Sequence, residues 1–206
     1  MKRGFTLIEM LVVIGIIAVL IGVSVTGYSA MTRRAQKVRA EELVSNVATA
    51  LESILQERGK WPQAIAASVG QDEYRLGPEV AAVLASRRLM SLSFHEDKDT
   101  KKITMTGLDK YGVLDPWAMA VLKNNASAGL DALVPSGGKI KDHIVRFSVD
   151  VEGRGFTKVD INGETFDIRG SVAVWSCGMD GKFGSFSQAG RTDDVYSFTP
   201  GQRVNQ

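Results

Sequence analysis

Few residues in this chain could do covalent chemistry. It holds two histidines, His95 and His143, and one cysteine, Cys177. His95 stands beside a charged turn and His143 at the start of an alternating, strand-like stretch, with no metal-ligand spacing between them. Cys177 has no partner near it in sequence, and a small buried hydrophobe is its expected identity. Gly178-Met179-Asp180-Gly181 lacks the lysine-serine/threonine ending of a phosphate loop. Serines and carboxylates are plentiful but fall into no catalytic arrangement, so the expectation is a protein that is not an enzyme. One charge is out of place. From Phe5 to Met31 the only formally charged side chain is Glu9, at the start of an apolar run. A carboxylate there is costly unless something pairs with it, which makes it a functional candidate; the plainer alternative is that it snorkels to an interface.

The element that carries Glu9 is long. Residues 5–31 exceed the about 20 apolar residues needed to cross a hydrocarbon layer. The run is also longer than the core of a secretory signal, about 7–15 apolar residues, and no small-x-small cleavage site follows it. A retained single-pass anchor is expected. Lys2 and Arg3 before it and Arg33, Arg34, Lys37 and Arg39 after it leave its orientation nearly balanced. Gly15, Gly22 and Gly27 inside it suit close packing against other helices better than a helix in water.

Lys2-Arg3-Gly4 followed by Phe5-Thr6-Leu7-Ile8-Glu9 and the unbroken apolar run closely resembles the processing motif of type IV pilins and type II secretion pseudopilins. The resemblance implies cleavage between Gly4 and Phe5 by a membrane-embedded prepilin peptidase and methylation of Phe5 as the new first residue. It also implies that Glu9 pairs with the amino terminus of a neighbouring subunit. A buried pair of that kind sets register more reliably than it adds stability. Implied partners are further copies in a helical filament, minor pilins or pseudopilins, the peptidase, and an inner-membrane assembly platform driven by a cytoplasmic ATPase. The implied location is the bacterial inner membrane with the head in the periplasm, then a periplasmic pseudopilus or a surface pilus. Many relatives place a proline where this chain has Thr26-Gly27, which leaves open whether the helix melts locally on assembly.

Composition agrees. The chain has 206 residues, 44% hydrophobic and 23% charged, with 25 basic and 23 acidic side chains. Losing Lys2 and Arg3 with a leader would balance the charges, which gives no argument for nucleic acid or acidic lipid. A lone cysteine cannot close an internal disulfide, so an exported head must be held by packing, hydrogen bonds or metal.

Beyond the run the pattern becomes amphipathic. Val44, Val47, Ala48, Leu51, Ile54 and Leu55 recur at helical spacing up to Arg58, where Gly59 and Trp61-Pro62 stop the helix. Residues 63–105 read as an insertion: a loop with a short helix, a helix opened by Gly77-Pro78, and short strands over Ser91–His95 and Lys102–Thr106. Asp115-Pro116-Trp117 resembles the segment that begins the pseudopilin sheet; physically, Asp-Pro fixes a turn and Trp117 is an apolar anchor. Strands are expected over His143–Val151, Phe156–Ile161, Glu164–Ile168 and Ser171–Cys177, with Asn162-Gly163 as a hairpin turn.

The stretch from Trp175 to Gly184, followed by Asp193-Asp194, resembles the C-terminal calcium loop of the major pseudopilin. Calcium takes six to eight oxygens. Asp180, Asp193 and Asp194 would supply carboxylates and nearby carbonyls the rest; the alternative is that these aspartates cap turns.

The expected architecture is α+β, a pilin-like lollipop. Its parts are a leader (1–4), a membrane and filament-core helix (5–31), an amphipathic continuation (32–58) and a head with an antiparallel sheet (59–206). The expected function is a filament subunit, of the pseudopilin branch serving protein export or, alternatively, of a type IV pilus serving adhesion, motility or DNA uptake. A single-pass anchored binding domain is the alternative of another class.

Overall fold

The computed structural model describes residues 6–161, 164–184 and 193–198, without the side chains of residues 23–27, 72, 161 and 164. One helix, α1, runs Leu7–Arg58. Its residues divide between two units, 1–36 and 37–206. In the first unit the described apolar side chains stand exposed, with Leu7 81%, Ile8 73% and Met31 76% accessible. Apolar surface of that extent needs a lipid or protein cover. The expected span at 5–31 includes residue 5 and side chains 23–27, which lie outside the described ones. Among the described residues no helix is long and apolar enough to cross a membrane.

In the second unit α1 becomes a core helix. Ala40, Val44, Val47, Leu51 and Ile54 are buried, the stripe that helical spacing assigns. The helix ends as expected: the Gly59 N–H donates to the Leu55 carbonyl at 2.7 Å, and Trp61 Nε1 donates to the Asp150 carbonyl at 2.7 Å, which fixes the chain's exit.

Residues 63–105 form α2 (Gln63–Ser68), α3 (Pro78–Ser86), β1 (Phe94–Glu96) and β2 (Ile103–Met105). Read as an insertion, this segment nevertheless belongs to the core: Ile65, Leu76, Val80, Ala81, Leu84 and Met105 share one apolar cluster with α1.

Asp115-Pro116-Trp117 departs from expectation. It opens α4 (Pro116–Asn124) rather than a sheet. Proline at the first helical position needs no N–H donor there, and Asp115 supplies the cap, so the same three residues serve a helix better than a strand. His143 likewise closes a 3-10 turn, Ile140–His143, instead of beginning a strand.

The β structure is antiparallel throughout. β3 (Arg146–Val149), β6 (Val172–Ser176) and β7 (Val195–Tyr196) form one sheet in the order β3-β6-β7, and β4 (Phe156–Ile161) pairs with β5 (Glu164–Arg169). Register sets Phe147 opposite Val174 and Val149 opposite Val172, all in the main core. On the other face Ser148 lies opposite Ala173 and Arg146 opposite Trp175, and Trp175 packs in a second cluster with Val159, Phe166 and Ile168. Alternation over 143–151 therefore reflects two covered faces rather than one wet one: Arg146 and Ser148 are as buried as their apolar neighbours. The expected turn residues Asn162 and Gly163 lie outside the described residues, although the ladder reaches Ile161 opposite Glu164.

Candidate functional site

At the amino end, Gly4 and Phe5 lie outside the described residues. Glu9 is described, and its position in the helix explains one of its bonds. The first turn of a helix leaves backbone N–H groups without partners. The Glu9 N–H donates to Thr6 Oγ1 at 3.3 Å, and the Thr6 N–H donates back to Glu9 Oε2 at 2.8 Å. That is a reciprocal capping box, and the Thr6 hydroxyl adds a second bond to the same Oε2 at 2.8 Å. Thr6-x-x-Glu9 is the sequence signature of such a box. Both residues are exposed, so the carboxylate is held at the helix end yet open to a neighbour.

At the other end of the chain, Asp180, Asp193 and Asp194 act as turn acceptors. Asp193 Oδ2 accepts the N–H groups of Met179 and Asp180, the latter at 3.1 Å. Asp194 Oδ2 accepts from the Gly184 N–H at 3.0 Å and the Tyr196 hydroxyl at 3.1 Å, and Asp180 Oδ1 accepts the Lys182 N–H at 2.8 Å. Gly178 is the residue that lets the strands approach: its φ is 68°, and a Cβ there would stand 2.5 Å from the Asp193 carbonyl oxygen. Among the described residues no group of three His, Cys, Asp or Glu side chains gathers as a metal site. The carbonyls of 185–189 expected to complete a calcium shell lie outside the described residues.

Between α4 and the sheet lies a polar cluster that the sequence did not announce. Asp115, His143 and Ser176 are buried, the first two with no exposure at all. Asp115 Oδ1 accepts the Trp117 and Ala118 N–H groups, each at 3.1 Å, and so caps α4. Its Oδ2 faces His143 Nδ1 at 2.9 Å and accepts the Ser176 hydroxyl at 3.1 Å. Ser176 thus gives its proton to the carboxylate and not to the imidazole, an order that makes no nucleophile.

Cys177, next along β6, is buried as expected but is more than a hydrophobe. Its thiol donates to the Asp142 carbonyl at 3.0 Å and accepts from Arg146 Nη1. Burial pushes the thiol up to about 12, outweighing the Arg146 charge. Arg146 also reaches the Glu73 carbonyl at 3.2 Å and stacks over the Phe183 ring at 4.7 Å. These bonds tie β3, β6 and the turns around them; none presents a reactive group to solvent.

The comparisons with known proteins agree with the amino-terminal geometry. The family described as the prokaryotic N-terminal methylation motif matches residues 1–25. The chain is type IV pilin-like. Type IV major pilin protein PilE1 of Neisseria gonorrhoeae is 36% identical over 63 residues, 31% of this chain and 38% of the relative. A second PilE1 sequence is 26% identical over 149 residues, 69% of each chain. A fimbrial protein of Pseudomonas aeruginosa is 31% identical over 99 residues, covering 48% of this chain and 62% of its own. The chain spans 38% and 35% of the length of the first two relatives it matches. No solved structure matches it. In this pilin-like chain the long N-terminal helix followed by antiparallel β structure is the α+β fold that the sequence led us to expect.

Proposed function

We propose that this chain is a structural subunit of a helical filament, processed between Gly4 and Phe5, methylated at Phe5 and assembled through its N-terminal helix. The observation that carries the reading is the methylation motif at residues 1–25 leading into a helix whose first turn holds an exposed carboxylate among exposed apolar side chains. In the membrane or in a filament, neighbouring helices would cover that surface. Glu9 would exchange its bonds to Thr6, whose donors are uncharged, for the ammonium of a neighbouring Phe5, a bond in which both partners carry charge. Prepilin peptidase, minor subunits and an inner-membrane platform are the partners of this reading, and the head would face the periplasm.

Two branches divide the proposal. The sequence Asp115-Pro116-Trp117, although it opens a helix here, and the lone Cys177, which closes no internal disulfide loop of the kind pili often carry, favour a pseudopilus that exports proteins. The named relatives, a type IV major pilin and a fimbrial protein, favour a surface pilus. Deleting the gene separates them: loss of an exported protein with pili intact supports the first, loss of pili with secretion intact the second. Retention of both in cells that make the protein would contradict a filament role.

Calcium at the tail stands as a second proposal. It would be held by carboxylate oxygens of Asp180, Asp193 and Asp194, together with carbonyls of the adjoining loop. Its role would be structural.

A further inference from the structure

We infer that His143 is an imidazolium in the folded chain and acts as a charged staple joining the start of α4, the 134–138 turn and the 178–181 turn. The argument begins with its two nitrogens. Nδ1 lies 2.9 Å from Asp115 Oδ2, and Nε2 lies 2.8 Å from the Gly137 carbonyl oxygen. A neutral imidazole has a single N–H. With that proton on either nitrogen, the other would set a lone pair against oxygen in a side chain with no exposure.

Two protonation patterns avoid this. Either the ring carries both protons, or Asp115 keeps one and donates it in a hydrogen bond to a bare Nδ1. The surroundings of Asp115 decide between them. Its Oδ1 accepts two N–H groups from the first turn of α4, at the positive end of that helix, and its Oδ2 accepts the Ser176 hydroxyl. Ser176 is itself directed, because its oxygen accepts the Gly178 N–H at 3.4 Å. Three donors besides the ring favour the carboxylate over the acid. The proton belongs on His143.

The other charged groups nearby are committed elsewhere. Asp142, on the same 3-10 turn, accepts the Lys139 N–H at 2.8 Å and adds negative charge. Lys139 and Lys141 reach outward to Asp131. On β3, Arg146 is held by Cys177 and the Asp142 and Glu73 carbonyls. On the 178–181 turn, Asp180 binds the Lys182 N–H. Burial pulls His143 down, but the Asp115 bond and charge, the Gly137 carbonyl and Asp142 outweigh it, and the ring titrates above the ordinary imidazole value.

What the staple fastens follows from its contacts. The Gly137 carbonyl holds the 134–138 turn, whose backbone lies so close to the next turn that a Cβ on Gly137 would stand 2.8 Å from the Asp180 carbonyl oxygen. Gly181 covers the ring: a Cβ there would lie 3.0 Å from Nε2. A folded-state pKa raised above the unfolded one contributes stability that is complete below about 6.5 and fades as pH climbs through the raised value.

The test uses the full-length chain in detergent micelles with ring-¹⁵N histidine. A His95→Gln variant assigns the signals, since His95 is exposed on β1 and outside the cluster. We expect both His143 nitrogens to remain protonated well above pH 6.5, and the thermal midpoint to fall as they titrate. His143→Gln should remove that pH-dependent fall. A bare ring nitrogen in the folded wild type at neutral pH would overturn the inference without recourse to any variant. An undiminished fall in a folded His143→Gln protein would overturn the staple.

Discussion

Replacing Asp115 tests the buried cluster most severely. In Asp115→Ala, α4 loses its cap, because the Trp117 and Ala118 N–H groups no longer find Oδ1. Loss of an N-cap costs about 1 kcal/mol. The change also strips His143 of its counter-charge in a site with no exposure. Removing one partner of a buried pair costs about 3–5 kcal/mol. Together the loss is about 4–6 kcal/mol, close to the whole stability of a small head at the lower end of about 5–15 kcal/mol. Asp115→Asn separates the two effects. Asparagine caps a helix about as well as aspartate, so only the pair is lost and the variant should stand about 1 kcal/mol above the alanine variant. Urea unfolding of the full-length chain, followed by the fluorescence of Trp61, Trp117 and Trp175, reads both midpoints. An alanine variant within about 1 kcal/mol of wild type would refute the reasoning, since exposed pairs reach only that value.

Three further outcomes follow from other sites. Glu9→Ala should leave the head's unfolding unchanged while abolishing filament assembly, read by shear-release or electron microscopy; assembly at the wild-type level would favour an anchored binding domain. Gly178→Ala should destabilise the tail, because a Cβ would stand 2.5 Å from backbone at a positive φ; limited proteolysis of the C-terminus should accelerate, and an unchanged rate would contradict the packing. A melt with calcium and with chelator should differ in the wild type but not in Asp193→Ala/Asp194→Ala; four identical transitions would retire calcium.

Much of the architecture could be read from local signals that no tertiary contact overrides. The end of α1 follows from Gly59 and Trp61-Pro62, and β4, β5 and β6 lie where alternation or a continuous apolar run set them. The differences arose where one residue serves two structures at once. Asp115-Pro116 carries the chemistry of a turn and of a helix start alike, and only the packing of Trp117 and Leu122 into the core selects the helix. Arg146 and Ser148 look solvent-facing by alternation, yet a second apolar cluster covers that face of the sheet. The Asp115–His143–Ser176 cluster was illegible for a simpler reason: His143 and Ser176 stand 28 and 61 residues from Asp115, a distance that periodicity does not span. At the tail, the described bonds of Asp180, Asp193 and Asp194 go to turns, the alternative that the sequence left open beside calcium.

Processing as a filament subunit can be read from the intact mass and first residue of the protein taken from its native membrane. A processed subunit begins at Phe5 and carries one added methyl group. A chain that still begins at Met1 in cells with active prepilin peptidase would contradict it.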